Sequence, residues 1–502
     1  MNRKIIFKLF LWISVITTMF NTTATANDKM QTVEIKNSSP LITFRILFNV
    51  GPALDPAGKE GVASLTAAML SRGGSATMTY DKIIEAMYPM AASINAQVDQ
   101  EMTVFYGTTH LDNLEAYYKI ISGVLLNPGW REEDFTRVRT DAINFLKVNL
   151  SGNNDEELGK EALYRMIYSG HPYGHENTGT ISALEKMTLE DVKNFYMQYY
   201  TQANLVIGIA GNYSPAFLEK MKTDFAELPA GARTKINLPQ PKPVKGLHMQ
   251  LVKKETRATA VSFGAPIAIN RSHPDWPALW LVRSYLGEHR SSNSHLYQRI
   301  REVRGMNYGD YAYIEYFPRG MFQFQPDANL CRQQQIFQVW IRPVEPQNAH
   351  FATRVAMFEL KKLIDNGMTK EDFEATRNFL SKNANMLVKT QDQQLGYALD
   401  SKYYGIPEFT SYVNSSLAKL TIDEVNRVIK KYLQTDNLNF VFITKDAEGL
   451  KEKLATNALS PITYNTTKPD DLMAEDKIIE KYLLPVKAEN ITIVPVEEVF
   501  LK

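Results

Sequence analysis

Two hydrophobic periods alternate along the chain. Short apolar runs rich in branched and aromatic residues, residues 41–49 (LITFRILFN), 102–109 and 204–210 (NLVIGIA), predict strands. Between them lie stretches of helical spacing. Residues 61–70 (GVASLTAAML) read as a helix. Thr188 and Asp191 have the spacing of a capped helix start, followed by Val192, Phe195 and Tyr199 on one face. The order helix then strand returns far downstream, where residues 437–444 (NLNFVFIT) repeat the strand signal. Leu184, Thr188, Val192, Tyr199, Asn204 and Leu205 recur as Leu417, Thr421, Val425, Tyr432, Asn437 and Leu438, each displaced by 233 residues. A second pair, Gly129-x3-Glu133-Asp134-Phe135 and Gly367-x3-Glu371-Asp372-Phe373, repeats at 238. The chain therefore reads as two copies of one unit, with α+β or α/β halves.

The prolines divide the copies. Pro229, Pro239, Pro241 and Pro243 interrupt regular structure and predict a semi-rigid linker at 231–247, with a first domain at 30–230, a second at 248–460 and a tail at 461–502. The halves are expected to hinge at the linker. The tail ends in ITIVPVEEVF, which suits either an edge strand or a segment wrapped on the second half. Leu296, Ile300 and Val303 mark an amphipathic helix that Gly305 ends, and Tyr308, Tyr311, Tyr313 and Ile314 begin a strand. Such a helix-to-strand corner brings Arg301 and Tyr308 near one point.

Composition narrows the compartment and the partners. Residues 1–26 have the parts of a secretory leader: Arg3, Lys4 and Lys8, a twelve-residue mostly apolar run at 9–20, and Ala24-Thr25-Ala26 as a cleavage site. The run is shorter than the roughly 20 residues that span a bilayer, and no later run qualifies. The expectation is a protein exported to the periplasm, cleaved after Ala26, with no membrane anchor. Cys331 is the single cysteine, which excludes an internal disulfide and a Cys-rich zinc site. With 56 basic against 55 acidic residues, charge gives no reason to expect nucleic acid. A peptide or protein partner suits the balance better.

The histidines give no metal site. His171 and His175 are four apart, but Pro172 and Gly174 lie between them, so a turn is expected rather than a ligand-bearing helix. His289 and His295 read as surface or capping residues. No Cys-His or Ser-His-Asp arrangement is visible in linear spacing.

Several separated motifs carry a family resemblance over nearly all of the chain after the leader. They are the loop Asp55-Pro56-Ala57-Gly58-Lys59-Glu60-Gly61, Asn95-Ala96, His171-Pro172-Tyr173-Gly174, and Arg301-Glu302-x-x-Gly305-x-x-Tyr308. The chain resembles the M16 (insulinase or pitrilysin) metallopeptidases, in particular the short bacterial two-domain members. The resemblance implies an α+β fold of two tandem M16-type (LuxS/MPP-like) domains, each a mostly antiparallel sheet packed with helices. In active members a helix reading roughly G-x-A-H-x-x-E-H-M-L binds zinc through two His and uses the Glu as general base. Here the matching positions are Ser64, Ala67 and Ala68, and the third-ligand position falls near Asn144 or Phe145. Between Phe135 and Asn154 the only acidic residue is Asp141. No metal is expected in this chain.

In active members the Arg and Tyr corner faces the zinc and hydrogen-bonds the substrate backbone, and an edge strand after the Asn-Ala pair takes up the peptide. The resemblance so implies Arg301 and Tyr308 as donors to a substrate carbonyl acting in trans, and Asn95, Ala96, Gln97 and Val98 as a peptide-binding segment. The expected function is the non-catalytic subunit of an exported heteromeric zinc endopeptidase. Zinc belongs to a partner M16 subunit with an intact HxxEH helix, and a peptide or unfolded protein is the substrate. The alternative is a peptide-binding or scaffolding pseudopeptidase with no proteolytic role.

Overall fold

The computed structural model describes residues 30–502; the leader expected at 1–26 lies outside them. The first half runs β1 (Gln31–Lys36), β2 (Leu41–Phe48), α1 (Val62–Arg72), α2 (Tyr80–Met87), β3 (Asn95–Asp99), β4 (Met102–His110), α3 (Leu114–Leu126), α4 (Glu132–Asn144), α5 (Asp155–Ile167), α6 (Ile181–Lys186), α7 (Leu189–Tyr199), β5 (Leu205–Gly211) and α8 (Pro215–Phe225). Its sheet has the order β1-β5-β2-β4-β3, with β1 parallel to β5 and the other pairs antiparallel.

The second half repeats this plan. It consists of β6 (Leu247–Lys253), β7 (Thr259–Ile267), α9 (Trp276–Gly287), β8 (Asp310–Tyr313), β9 (Gln335–Val344), α10 (Ala349–Asn366), α11 (Lys370–Leu387), α12 (Gln391–Tyr404), α13 (Phe409–Lys419), α14 (Ile422–Tyr432), β10 (Asn439–Thr444) and α15 (Ala447–Ala455). The sheet order β6-β10-β7-β9-β8 matches the first sheet strand for strand. The repeated helix start is built the same way twice: Thr188 with Asp191 and Thr421 with Glu424 both form complete capping boxes. The fold is α+β, two copies of a mostly antiparallel sheet with helices.

The halves exchange a helix. In the first sheet Ile42, Phe44, Ile46 and Phe48 of β2 face that half's own helices, while Leu47, with Val104 and Val206, packs on Leu399 of α12. Both faces are covered, so β2 reads as a nearly continuous apolar run rather than an alternating one. Reciprocally, α5 lies on the second sheet, and its Leu158 and Ala162 join a core with Val252, Ala260, Val441 and Ile443. Each crossing has a glycine at the same place in the repeat. A Cβ on Gly159 would come within 3.2 Å of the Ser262 hydroxyl of the second half, and one on Gly396 within 3.2 Å of the Arg45 guanidinium of the first.

Buried ion pairs tie the halves further. Arg332 is held by Asp99 at 2.5 Å, both almost fully buried, and stacks 3.7 Å above the Tyr316 ring. Arg45 of β2 donates to Asp392 at 2.6 Å and to Asn329 at 2.7 Å. On α5, Lys160 donates to Glu157 at 2.5 Å and to the Phe317 carbonyl at 2.9 Å, and Arg342 pairs with Glu156 at 2.9 Å. The linker is fastened too: the Pro239 carbonyl accepts from His171 Nε2 at 3.0 Å and from Gln334 at 2.8 Å. The linker is thus bonded to both halves. Exchanged helices and compensated buried charges lock the halves, because separating them would expose unpaired charge.

The C-terminal segment adds a second tie. α16 (Asp470–Ile479) precedes β11 (Val486–Pro495), which extends the second sheet in parallel beside β6. The chain then crosses to the first half, where the backbone N–H groups of Ile181 and Ser182 donate to the carbonyls of Phe500 and Leu501 at 2.9 and 3.0 Å. Phe500 is 1% exposed in the first-half core. Of the two readings left open for the tail, the edge strand forms, and the last residues wrap onto the first half rather than the second.

Candidate functional site

The helix that would carry a metal motif is well formed but chemically blank. Asp55, buried in the loop before α1, accepts from Gly61 N–H at 2.6 Å and Ala63 N–H at 3.0 Å, which satisfies two free donors of the helix start. Burial pushes its carboxyl well up. Within α1, Ser64 and Ala68 lie one turn apart on a half-buried face, while Ala67 is packed in the core. The Ser64 hydroxyl donates to the Asn177 carbonyl. Asn144 ends α4 and is exposed, and the nearby Asp141 is paired at the surface with Arg72 at 3.0 Å. These residues do not fit a zinc ion: two offer no donor atom, one is already bonded, and one points to solvent. Among the described residues no group of three or more His, Cys, Asp or Glu is arranged to hold a metal.

Asn177 does more than accept from Ser64. Its amide donates to the Val98 carbonyl at 3.3 Å and to Asp99 at 3.2 Å, so it stitches α1 to β3 across the place where a cleft would open. No spacing signal in the sequence singled out this residue. The expectation of an edge strand following Asn95, Ala96, Gln97 and Val98 is corrected: those residues are themselves the edge strand β3, and β4, which follows, is paired on both sides. Part of β3 is committed elsewhere. Gln97 donates to the carbonyls of Ala328 and Asn329 at 2.8 and 3.0 Å, whereas Asn95 is exposed and Ala96 half-buried.

The Arg and Tyr corner is assembled with more care. Residues Tyr297–Glu302 form a π-helix rather than the expected regular helix, ended at Gly305 with φ +68°. Such widened turns recur at functional sites. The strand begins at Asp310, so Tyr308 stands in the turn before β8 instead of opening it, and Ile314 lies just beyond its end. Asn307 braces this turn by donating to Asp310 at 2.8 Å and to the Arg342 carbonyl at 3.1 Å.

The tail helix braces the other side. Arg304, fully buried, donates to Asp476 at 2.9 Å and to Glu475 at 2.8 Å, and Lys468 donates to the Val303 carbonyl at 2.8 Å. Arg299 is engaged by Glu359 at 2.7 Å, whose carboxyl is held down to about 2 despite burial by His295 and Arg299. Arg301 is left differently: its nearest carboxylate, Glu302, is 3.6 Å away and its Nε has no partner. Its guanidinium lies 5.8 Å from the centre of the Tyr308 ring, and Tyr308 is 76% exposed. The two expected donors are thus together, braced from behind and open in front.

The histidines divide. His171 and His175 sit in the turn between α5 and α6, as expected. His289 is buried rather than superficial, with Nδ1 beside the Tyr313 hydroxyl and Nε2 at 2.7 Å from the Gln323 carbonyl, and burial lowers its pKa to about 4. His295 is likewise half-buried, 2.9 Å from Glu359. Linear spacing concealed both because the partners come from distant segments.

Known proteins place this geometry in a family. The family model described as insulinase (peptidase family M16) matches residues 32–180, and that described as peptidase M16 inactive domain matches residues 186–380. Among curated relatives, a Rickettsia bellii protein named "uncharacterized zinc protease" is 22% identical over 77% of this chain and 89% of its own length. A Helicobacter pylori protein named "non-peptidase homolog YmxG" is 20% identical over 81% of this chain and 89% of its own. A solved M16 inactive domain from Pseudomonas fluorescens superposes with a TM-score of 0.71 at 21% identity, covering 82% of this chain and 94% of that one. The periplasmic protease PqqL of Escherichia coli superposes with a TM-score of 0.66 at 14% identity, covering 92% of this chain but 50% of its own. The chain belongs to peptidase family M16, as a member whose metal-binding helix has lost its chemistry.

Proposed function

We propose that the chain is the non-catalytic subunit of an exported, heteromeric M16 zinc endopeptidase. It supplies Arg301 and Tyr308 to the carbonyl of a bound peptide and forms half of the peptide-binding cavity. One observation carries the reading: the Arg301 guanidinium and the Tyr308 ring are 5.8 Å apart, on a corner braced by Asn307, Glu475 and Asp476 and open to solvent. Two neighbouring donors of this kind suit an oxygen that gains negative charge. The lack of His and Glu on α1 supports the reading in which the metal and the general base belong to a partner with an intact HxxEH helix. The 50% coverage of PqqL supports pairing, because that protease is about twice as long as this unit. Export rests on the leader-like residues 1–26, and among the described residues no helix is long and apolar enough to cross a membrane.

The test is a pull-down of the tagged chain from periplasmic extract, with zinc content and activity on a quenched peptide library read in the eluate. A co-eluting M16 protein with bound zinc and peptidase activity supports the subunit reading. Elution alone, zinc-free and inactive but retaining peptides, supports capture without cleavage instead.

A further inference from the structure

We propose that the second half carries a recognition cleft for an aromatic group that bears its own N–H or O–H donor, such as a phenol or an indole, free or as a peptide side chain. The cleft lies between α9 and the segment joining β8 to β9, with α11 and α12 on the far side, and has a volume of 430 Å³. That is within the usual range for small-molecule sites. Through the repeat, α9 and β8 correspond to α1 and β3, so the cleft is the counterpart of the one that Asn177 closes in the first half.

The walls are flat and aromatic. Trp276 and Trp280 stack with centroids 5.5 Å apart and planes at 13°, and Tyr397 packs on Phe409 at 4.5 Å. The polar groups among them are unfinished. Three lining side chains hold buried atoms with no hydrogen-bond partner: Trp276 Nε1, the Tyr397 hydroxyl and Glu288 Oε2. Trp276 and Tyr397 are 1% and 2% exposed. Buried polar atoms are normally paired, so a donor, an acceptor and a hydroxyl left unpartnered in the side chains that line one cavity mark groups that small side-chain rotations would turn to a ligand.

Charge decides what kind of ligand fits. Glu288 Oε1 already accepts from Arg283 at 2.7 Å, and Arg271 is neutralised by Glu315 at 2.9 Å and Asp400 at 3.1 Å. With these carboxylates matched, a strong cation finds no free partner, while Arg290, which also lines the cleft, lies 4.5 Å from the centre of the Phe324 ring and donates to the Met321 carbonyl. A neutral ring between the aromatic walls, donating to Glu288 Oε2, satisfies the acceptor and keeps the apolar surface dry. An adjacent carbonyl would accept from Trp276.

Titration of the full mature chain with N-acetyl-L-tyrosinamide, N-acetyl-L-tryptophanamide and N-acetyl-L-phenylalaninamide, read by calorimetry, tests this. The first two are expected to bind at least about tenfold more tightly than the third, which has the ring but no donor on it. Leu387→Trp, which fills the cleft, is expected to abolish binding. Asn383→Trp at the rim serves as a second block if the first variant does not fold. Phenol and indole distinguish the source: equal affinity points to a free aromatic compound, and loss of affinity to a side chain within a peptide, both within the proposed class. Equal binding of the phenylalanine and tyrosine compounds, binding unaffected by both blocking variants, or no binding of any compound would overturn the proposal.

Discussion

The two halves have the same strands in the same order, yet they treat the space between the first helix and the edge strand in opposite ways. In the first half α1 presents Ser64, Ala67 and Ala68, β3 passes to β4 through Gln100 and Glu101 alone, and Asn177 sews helix to strand. In the second half α9 presents tryptophans, residues 314–334 join β8 to β9, and a 430 Å³ cleft stays open. The comparison separates fold from function. Duplication preserved the framework of capping boxes, strand order and exchanged helices, while the cleft and the Arg301 corner differ between the copies.

The strongest way to break the comparison is to attack what the halves share. Asp99→Ala leaves the Arg332 guanidinium buried without its carboxylate, and about 3–5 kcal/mol of stability should be lost in denaturant unfolding. Phe500→Ala removes a ring from the first-half core and should cost about 3 kcal/mol, with the C-terminal segment becoming sensitive to protease before the sheets do.

A graft sharpens the contrast. Ser64→His with Ala67→Glu and Ala68→His should not create a tight zinc site, because no carboxylate stands at the third position and Ala67 lies 1% exposed in the core. Crowding that position should cost about 1–3 kcal/mol, and metal analysis after dialysis reads the outcome.

The smallest effect concerns pH. Burial pushes the Glu161 carboxyl up to about 8 and Glu176 to about 7, beside Arg332 and the Tyr316 hydroxyl that donates to Glu161 at 2.8 Å. The folded chain then holds protons that the unfolded chain releases above the ordinary value of 4.5, so stability should fall as pH rises from about 4.5 through 8. Glu161→Gln should flatten that slope between pH 5 and 8. Thermal unfolding across that range checks it.

Much of this was legible in residue order. The repeat offsets and the capping threonines are local signals, and the structure places both accordingly. The exchange of α5 and α12 was not legible. Residues 155–161 (DEELGKE) look like a solvated helix face, and only the distant Arg342, Lys254 and Tyr316 explain their burial. The matched glycines Gly159 and Gly396 were the one available hint. The stitch at Asn177 and the aromatic cleft depend on segments far apart in the chain, so no periodicity reports them. Tyr308, Tyr311 and Tyr313 read together as the start of a strand, whereas Asn307 and Gly309 make a turn at Tyr308.

The central claim is that Arg301 and Tyr308 act on a peptide held with another subunit. Its most direct test is turnover by the reconstituted pair of this chain and a zinc-bearing M16 partner, comparing the unaltered chain with Arg301→Ala while gel filtration verifies that the complex is intact. The account predicts a loss of roughly a hundredfold to a thousandfold in turnover. Undiminished turnover in an intact complex would contradict it.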